Sequence, residues 1–417
     1  MKLFQHLSTK PSKALPLMVA LMSIFISTSY GAEALVVSLQ SIPDRIRKQN
    51  PDLAAARYRI SEALGRLNQS GRRSNPELGI NASHNPSFRE RALSVSIAQK
   101  FPLTNRLALE KAASLTSLKA AEAEVRDVER RLIANSKQLL IKVLAIRKQK
   151  ALLKKQEVIA KQLAKYIGAA TKQGEGSVLD AGQAKLEAAQ FANQLRQLNT
   201  ESVSLSGQLK PLLGMNTSEP LIVSGSLPEI NPPARSVNPN KRPDLHAAKL
   251  NAKAAAQEAA VERAKSRDDI EVSVSAGVER SEDAPEGYDT ESSIGVGIRI
   301  PLPLWNKNEG AIQEANARRA RKQKEVTALA HSIRHEASTA HAEMTEWAKL
   351  SREISETLLP LAINQSELAV KAYREGQGDL QATLRTREQL LKISSARLNA
   401  LRDFHLAKSR YEAALAK

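Results

Sequence analysis

From Thr104 to Ile167 the chain contains neither glycine nor proline. A segment so free of helix breakers is expected to form one helix, roughly 95 Å long at about 1.5 Å per residue, and no compact domain can bury such a rod. The molecule is therefore expected to be elongated. Along the segment Leu118, Val125, Leu132, Leu139, Ile146, Leu153, Ala160 and Ile167 recur every seventh residue. Val326, Ile333, Ala340, Trp347, Ile354, Leu361 and Leu368 do the same later, crossing Pro360, where a kink or a join between stacked helices is expected. Sustained sevens call for neighbouring helices packed as a coiled coil. With only 3% aromatic residues in 417, a thick globular core is disfavoured as well.

The plan occurs twice. "NPDLAAARYRI" from Asn50 matches "RPDLHAAKLNA" from Arg242, "KQGEGSVL" from Lys172 matches "REGQGDLQ" from Arg374, and "FPLTNR" matches "IPLPLWNKNEG". All are separated by roughly 200 residues, in the same order. Each half reads helix, two strands, proline junction, long helix, glycine turn, long return helix. Expected boundaries are an export signal over 1–34, a first repeat over 35–225 with a β-hairpin at 76–101 and a helical hairpin at 103–213, and a second repeat over 226–417 with a β-hairpin at 268–302 and a helical hairpin at 304–416. The reversals fall at Gly174 and Gly176, and at Gly376 and Gly378, because glycine accepts the positive φ of a tight turn.

The strands alternate with period two. Leu78, Ile80, Ala82 and Leu93, Val95, Ile97 share a face in the first hairpin; Ile270, Val272 and Val274 oppose Glu271, Ser273 and Ser275 in the second. Alternation alone fits a half-buried soluble sheet. The polar faces, however, consist of serine, glycine, asparagine and alanine, the lengths suit a tilted bilayer crossing, and an aromatic stands near both ends of each hairpin: Phe88 with Phe101, Tyr288 with Trp305. Pro102, Pro301 and Pro303 mark the strand–helix junctions, since proline cannot supply the ladder hydrogen bond, and Pro102 and Pro303 are expected to end the strands. Four strands cannot close a barrel, and open edges do not survive in lipid, so copies of the chain must complete one another; three would give twelve strands. The expected fold class is α-helical with transmembrane β-strands.

The chain has no cysteine, which excludes disulfides, thiolate metal sites, a cysteine nucleophile and a lipid anchor on cysteine. Lys2, Lys10 and Lys13 precede the apolar run "ALPLMVALMSIFI", which reads as an export signal cleaved after Gly31 or Ala34. The formal charge is +18, but the basic residues are spread along helices and mixed with glutamates, so no nucleic-acid partner is expected.

The duplicated order, "RPDL" at Arg242, "YREGQGDL" from Tyr373 and "IPLPLWNKNEGAIQEA" together resemble the TolC-type outer-membrane efflux channels over essentially the whole mature sequence. The last stretch is most similar to the branch serving cobalt, zinc, cadmium and nickel efflux pumps. The resemblance implies a homotrimer with a twelve-stranded barrel in outer-membrane lipid and a helical tunnel through the periplasm. Its tip would dock to a periplasmic adaptor and an inner-membrane proton-driven pump of the RND type. No chemistry and no cofactor are implied; the cargo would be divalent heavy-metal cations, the alternatives being drugs, other organic solutes or secreted protein. Acids beyond the tip glycines are implied as gate residues: Asp180 stands at such a place and Asp379 near the second turn, while Arg385 stands where the pattern has an acid. Arg385 either pairs with Asp180 of a neighbouring hairpin or is a solvated surface group.

His331 and His335, four apart beside Glu336, have zinc-ligand spacing but lack a third ligand, and a solvated helix face is the preferred reading. No hydrolase elbow, P-loop or dinucleotide motif is present, so an enzyme is not expected. The more remote alternative is a periplasmic coiled-coil adaptor or scaffold with soluble sheets.

Overall fold

The computed structural model describes residues 35–174, 177–236, 238–283 and 285–416. The segment 1–34, expected to be the export signal, lies outside them. Strand β1 (Leu35–Val37) leads into α1 (Ile42–Gln49) and α2 (Pro51–Gln69), followed by β2 (Glu77–His84), β3 (Arg91–Phe101), α3 (Arg106–Lys172) and α4 (Val178–Leu212). After β4 (Leu221–Val223) the plan repeats with α5 (Pro243–Ala264), β5 (Ile270–Asp283), β6 (Gly287–Arg299), α6 (Glu309–Glu353), a π-helical turn (Ile354–Leu358), α7 (Leu359–Arg374) and α8 (Leu380–Leu415). At 67 residues, α3 is one unbroken rod, as the absence of breakers requires.

Both repeats open on a proline at the start of a helix, but the preceding residue works differently in each. Asn50, 2% exposed, accepts the Leu53 N–H through Oδ1 at 2.8 Å and donates Nδ2 to the Leu212 carbonyl at 2.8 Å. Arg242, 7% exposed, ties its guanidinium to Asp244 at 2.6 Å and to Glu336 of α6 at 2.5 Å. One repeat is capped locally and the other by an ion pair that reaches a second helix.

Two cores hold the shaft. Ile42, Ile46, Leu53, Leu140, Leu144 and Leu209 pack where α1 to α4 converge, and Ala337, Ala340, Met344, Phe404, Ala407 and Tyr411 join α6 to α8. Their many alanines let helix axes approach closely. The linker between repeats is strapped to this level: β4 pairs parallel to β1, the Tyr411 hydroxyl accepts the Ser236 N–H at 2.6 Å, and His405 Nε2–H donates to the Pro228 carbonyl at 2.9 Å.

Burial pushes the buried His405 imidazole below its ordinary pKa of 6.5, outweighing the bond to Pro228. The unfolded chain then binds the proton more readily, so this contribution to stability is complete above pH 6.5 and is lost as pH falls below it. His405→Gln, which keeps a donor for Pro228, is expected to flatten the fall in thermal midpoint between pH 7.5 and pH 5; an unchanged fall would assign the pH dependence elsewhere.

The sevenfold stripe holds along α3, where Val125, Ile146, Leu153, Ala160 and Ile167 are buried. In the second repeat it holds only as far as Ile354. Beyond Pro360, Leu361 and Leu368 are 58% and 60% exposed, and the buried positions are instead Ala362 and Ser366, four apart. Pro360 lacks an N–H, the preceding turn widens into the π-helix, and the register shifts accordingly. The expected disruption is there, while the stripe expected to run through it does not.

The strands also differ from expectation. β3 ends at Phe101, directly before Pro102, but β6 ends at Arg299, so Pro301 and not Pro303 bounds it. The second hairpin is longer than its apolar alternation, because Glu279–Asp283 and Gly287–Ser292 extend the ladder with polar residues. Backbone pairing sustains that part, with Arg280 over the Tyr288 ring.

Candidate functional site: the exposed sheet and the helical tip

The four longer strands form one antiparallel sheet ordered β2-β3-β5-β6. Register aligns the side chains in rows: Leu78, Ile97, Val274 and Val296 lie across from one another, as do Ile80, Val95, Ala276 and Ile294. None of the described residues covers this apolar face: Leu78 and Ile80 are each 65% exposed, Val296 73% and Ile294 86%. The opposite face carries Gly79, Ser96, Ser275 and Gly295 in one row and Ala98, Ser273 and Gly297 beside it. A water-soluble sheet buries its large residues; this sheet leaves them bare.

Two glycines on the small-residue face sit against serine hydroxyls. A Cβ at Gly79 would stand 2.7 Å from the Ser96 hydroxyl, and one at Gly297 2.7 Å from that of Ser273. Substitutions at Gly297, expected from the alternation to be tolerated like those at Ser273, must therefore displace a hydroxyl first. β2 and β6 each have one neighbour, leaving the outer edge of both without a partner strand among the described residues. Phe88 stacks on His84 in the β2–β3 turn, with centroids 3.9 Å apart, and Arg280 sits over the Tyr288 ring at 5.4 Å; these mark the turn end of the sheet. Phe101, under Arg73 at 5.9 Å, and Trp305, 94% exposed, mark the helix end.

At the far end of the rods the two helical hairpins meet. Ala164, Ile167, Ala181, Ala184 and Leu380 form a small core there, flanked by Tyr373. Gly174 has φ +82° and Gly376 φ +71°, with open space around both. Their need is conformational: a side chain in that region costs about 1–2 kcal/mol. Gly378 instead makes a close approach, since a Cβ would lie 3.2 Å from both the Ala372 Cβ and the Tyr373 nitrogen. Gly176 lies outside the described residues. Asp379 is the N-cap of α8, accepting the Ala382 N–H at 2.5 Å. Asp180 is half-buried near Tyr373, whose phenol is pushed above its ordinary pKa by burial and then by that carboxylate. Arg385 is exposed and has no ion-pair partner among the described residues. Gln183 and Gln381 bridge α4 to α8.

Residues 42–215 match the family model described as outer membrane efflux protein. Among solved structures, OprN, an outer-membrane channel, is 18% identical, with a TM-score of 0.75 over 90% of this chain and 89% of its own. The outer membrane protein VceC from Vibrio cholerae is 19% identical, with a TM-score of 0.71 over 90% and 95%. CusC, a transmembrane channel, is 16% identical, with a TM-score of 0.76 over 97% and 98%. The chain has the fold of an outer-membrane efflux channel. No curated protein matches the sequence.

Within the channel fold, a charge cluster escaped the sequence reading. Glu187 of α4 and Arg387 of α8, both half-buried, lie within range of each other's charge without forming an ion pair, and the buried Glu187 Oε2 has no hydrogen-bond partner among the described residues. Burial raises the Glu187 carboxyl above its ordinary range and lowers the Arg387 guanidinium below its own, each opposed by the other's charge. The signal for Glu187 was present, since it follows Asp180 by two turns on one stripe; Arg387 shares no motif with it, and only packing of α4 beside α8 joins them. His331 and His335 touch through Nε2 at 3.3 Å on an exposed helix face, and no cluster of three or more metal-binding side chains occurs among the described residues. Glu336 is occupied by Arg242.

Proposed function

We propose that the chain is the outer-membrane component of a tripartite efflux system, a homotrimeric duct that carries solute from an inner-membrane pump and its periplasmic adaptor out of the cell. The observation that carries this reading is the four-stranded sheet with a bare apolar face and two open edges. β2 and β6 run in opposite directions, so the β6 edge of one protomer can receive the β2 edge of the next as an antiparallel pair, and three copies make an even, closed barrel. The bare leucines of α7 and of the tip, Leu361, Leu368 and Leu179, suit helices that pack against further copies or partners.

Divalent heavy-metal cations are the proposed cargo, on the strength of "IPLPLWNKNEGAIQEA". Asp180 is the proposed gate acid, placed beside Tyr373 and free of the capping duty that occupies Asp379; Arg385 is its proposed inter-protomer partner. The tip turns are the proposed docking points. Deleting the gene is expected to lower tolerance to zinc, cobalt, cadmium and nickel, and a wild-type copy to restore it. A Gly376→Val copy is expected to form trimers yet restore tolerance poorly. Loss of tolerance to organic solutes alone would reassign the cargo, and tolerance unchanged to both would overturn the efflux role.

A further inference from the structure

The connection between β6 and α6 is more built than a linker needs to be. The Leu304 N–H returns to the Leu302 carbonyl at 2.8 Å, a three-residue turn around Pro303. Asn308 closes the segment, with φ +61°, donating Nδ2 to the Glu262 carbonyl at 2.9 Å and to its carboxylate at 3.0 Å. Held at both ends, the turn projects its apolar side chains away from the protein: Leu302 is 69% exposed and Leu304 64%, with Trp305 beside them. They continue the bare apolar face of β6, where Ile298 is 66% exposed.

Beside this hook lies a cavity of about 750 Å³, lined by Trp305, Leu302, Lys100, Arg106, Lys265 and Arg267, with Asp268 and Asp269 on its rim. Arg106 is bound to Asp269 at 2.7 Å, Lys265 to Glu262 at 2.7 Å and Lys100 to Glu77 at 3.4 Å. Arg267 has no ion-pair partner among the described residues, and neither has Lys307, two positions past Trp305; both are exposed. The lining carries four cations, Lys100, Arg106, Lys265 and Arg267, to two acids, of which Asp268 is exposed beside Arg267 and also without an ion-pair partner among the described residues; Lys307 stands outside the lining. At the other end of the sheet the balance reverses, with Glu279, Glu282, Glu286, Asp289 and Glu291 outnumbering the arginines. Within the sheet, then, the basic character belongs to the helix-side rim.

An apolar hook next to an unpaired cation fits one chemistry: acyl chains that end in an anionic phosphate. We infer that the Leu302–Trp305 turn inserts into the periplasmic leaflet of the outer membrane and that Arg267 and Lys307 bind the headgroup of an anionic phospholipid there. This rests on the outer-membrane reading above. It would add an interfacial anchor at the periplasmic rim of the barrel.

The sequence contains two tryptophans, so Trp347→Phe leaves Trp305 as the sole reporter. The full-length trimer carrying this change is reconstituted in vesicles of equal parts phosphatidylglycerol and phosphatidylcholine, with bromine placed near the headgroup on the chains of one lipid or the other. Trp305 emission is expected to be quenched, with about a fivefold enrichment of phosphatidylglycerol over phosphatidylcholine beside it. Arg267→Glu with Lys307→Glu should make the two lipids equal. Equal quenching in the unmodified protein would overturn the headgroup assignment. A companion with Val296→Trp, Trp305→Phe and Trp347→Phe, in vesicles whose lipids carry bromine near the ends of the acyl chains, tests the sheet itself. Quenching there but not at Trp305 would overturn the hook and leave the barrel standing; quenching at neither would overturn both.

Discussion

Val296→Arg is expected to remove the protein from the outer membrane. Val296 lies in the middle of the apolar part of β6, three residues before its end, in the row Leu78, Ile97, Val274, Val296, and is 73% exposed on a face that no described residue covers. Arginine at the midplane of a barrel's lipid face costs about 2–4 kcal/mol, and a trimer meets it three times. The amount of heat-modifiable trimer in outer-membrane fractions measures the effect. Ser273→Arg, on the opposite face, is the control and should retain most of the trimer. Gly297 is the poorer control, because the hydroxyl of Ser273 occupies the space its side chain would need. Equal loss on both faces would show that neither side of the sheet meets lipid.

Arg242→Met should be the most damaging single change in the helical shaft. It leaves Asp244, with only 20% of its side chain exposed, without its cation, while Glu336, at 47%, is largely rescued by water. Breaking a buried pair from one side typically costs about 3 kcal/mol, less here because one carboxylate remains hydrated. Asp244 is held below the usual carboxylate range by the Arg242 bonds and charge, which outweigh the opposing effect of burial. That stabilisation is present at neutral pH and above, and is lost as pH falls through the lowered value. Denaturant unfolding of Arg242→Met, Asp244→Asn and the double variant measures the coupling. A double variant no more stable than the sum of the singles predicts would mean the two residues act independently.

The rods, the hairpins and the duplication were legible because each is written in a local period: seven for the coiled helices, two for the strands, and the absence of glycine and proline for length. The tip reversals were legible for the same reason, since a positive φ at Gly174 and Gly376 is a requirement of single residues. The slip beyond Pro360 was half-legible. Proline announced a disruption, but whether a helix kinks or widens depends on how neighbouring helices take up the freed carbonyl. Glu187 with Arg387, and Arg242 with Glu336, were hidden because each pair is made by helices distant along the chain.

The sequence by itself determined the elements and the sidedness of each strand, because a side chain's face follows from the backbone repeat alone. It did not determine that β3 would pair with β5, bringing Ile97 against Val274 and fusing the hairpins of two repeats into one sheet. Only the tertiary structure decided that, and with it which apolar face would be left bare. A residue's exposure depends on what the rest of the chain can reach, and here the helices that might have covered the sheet point away from it.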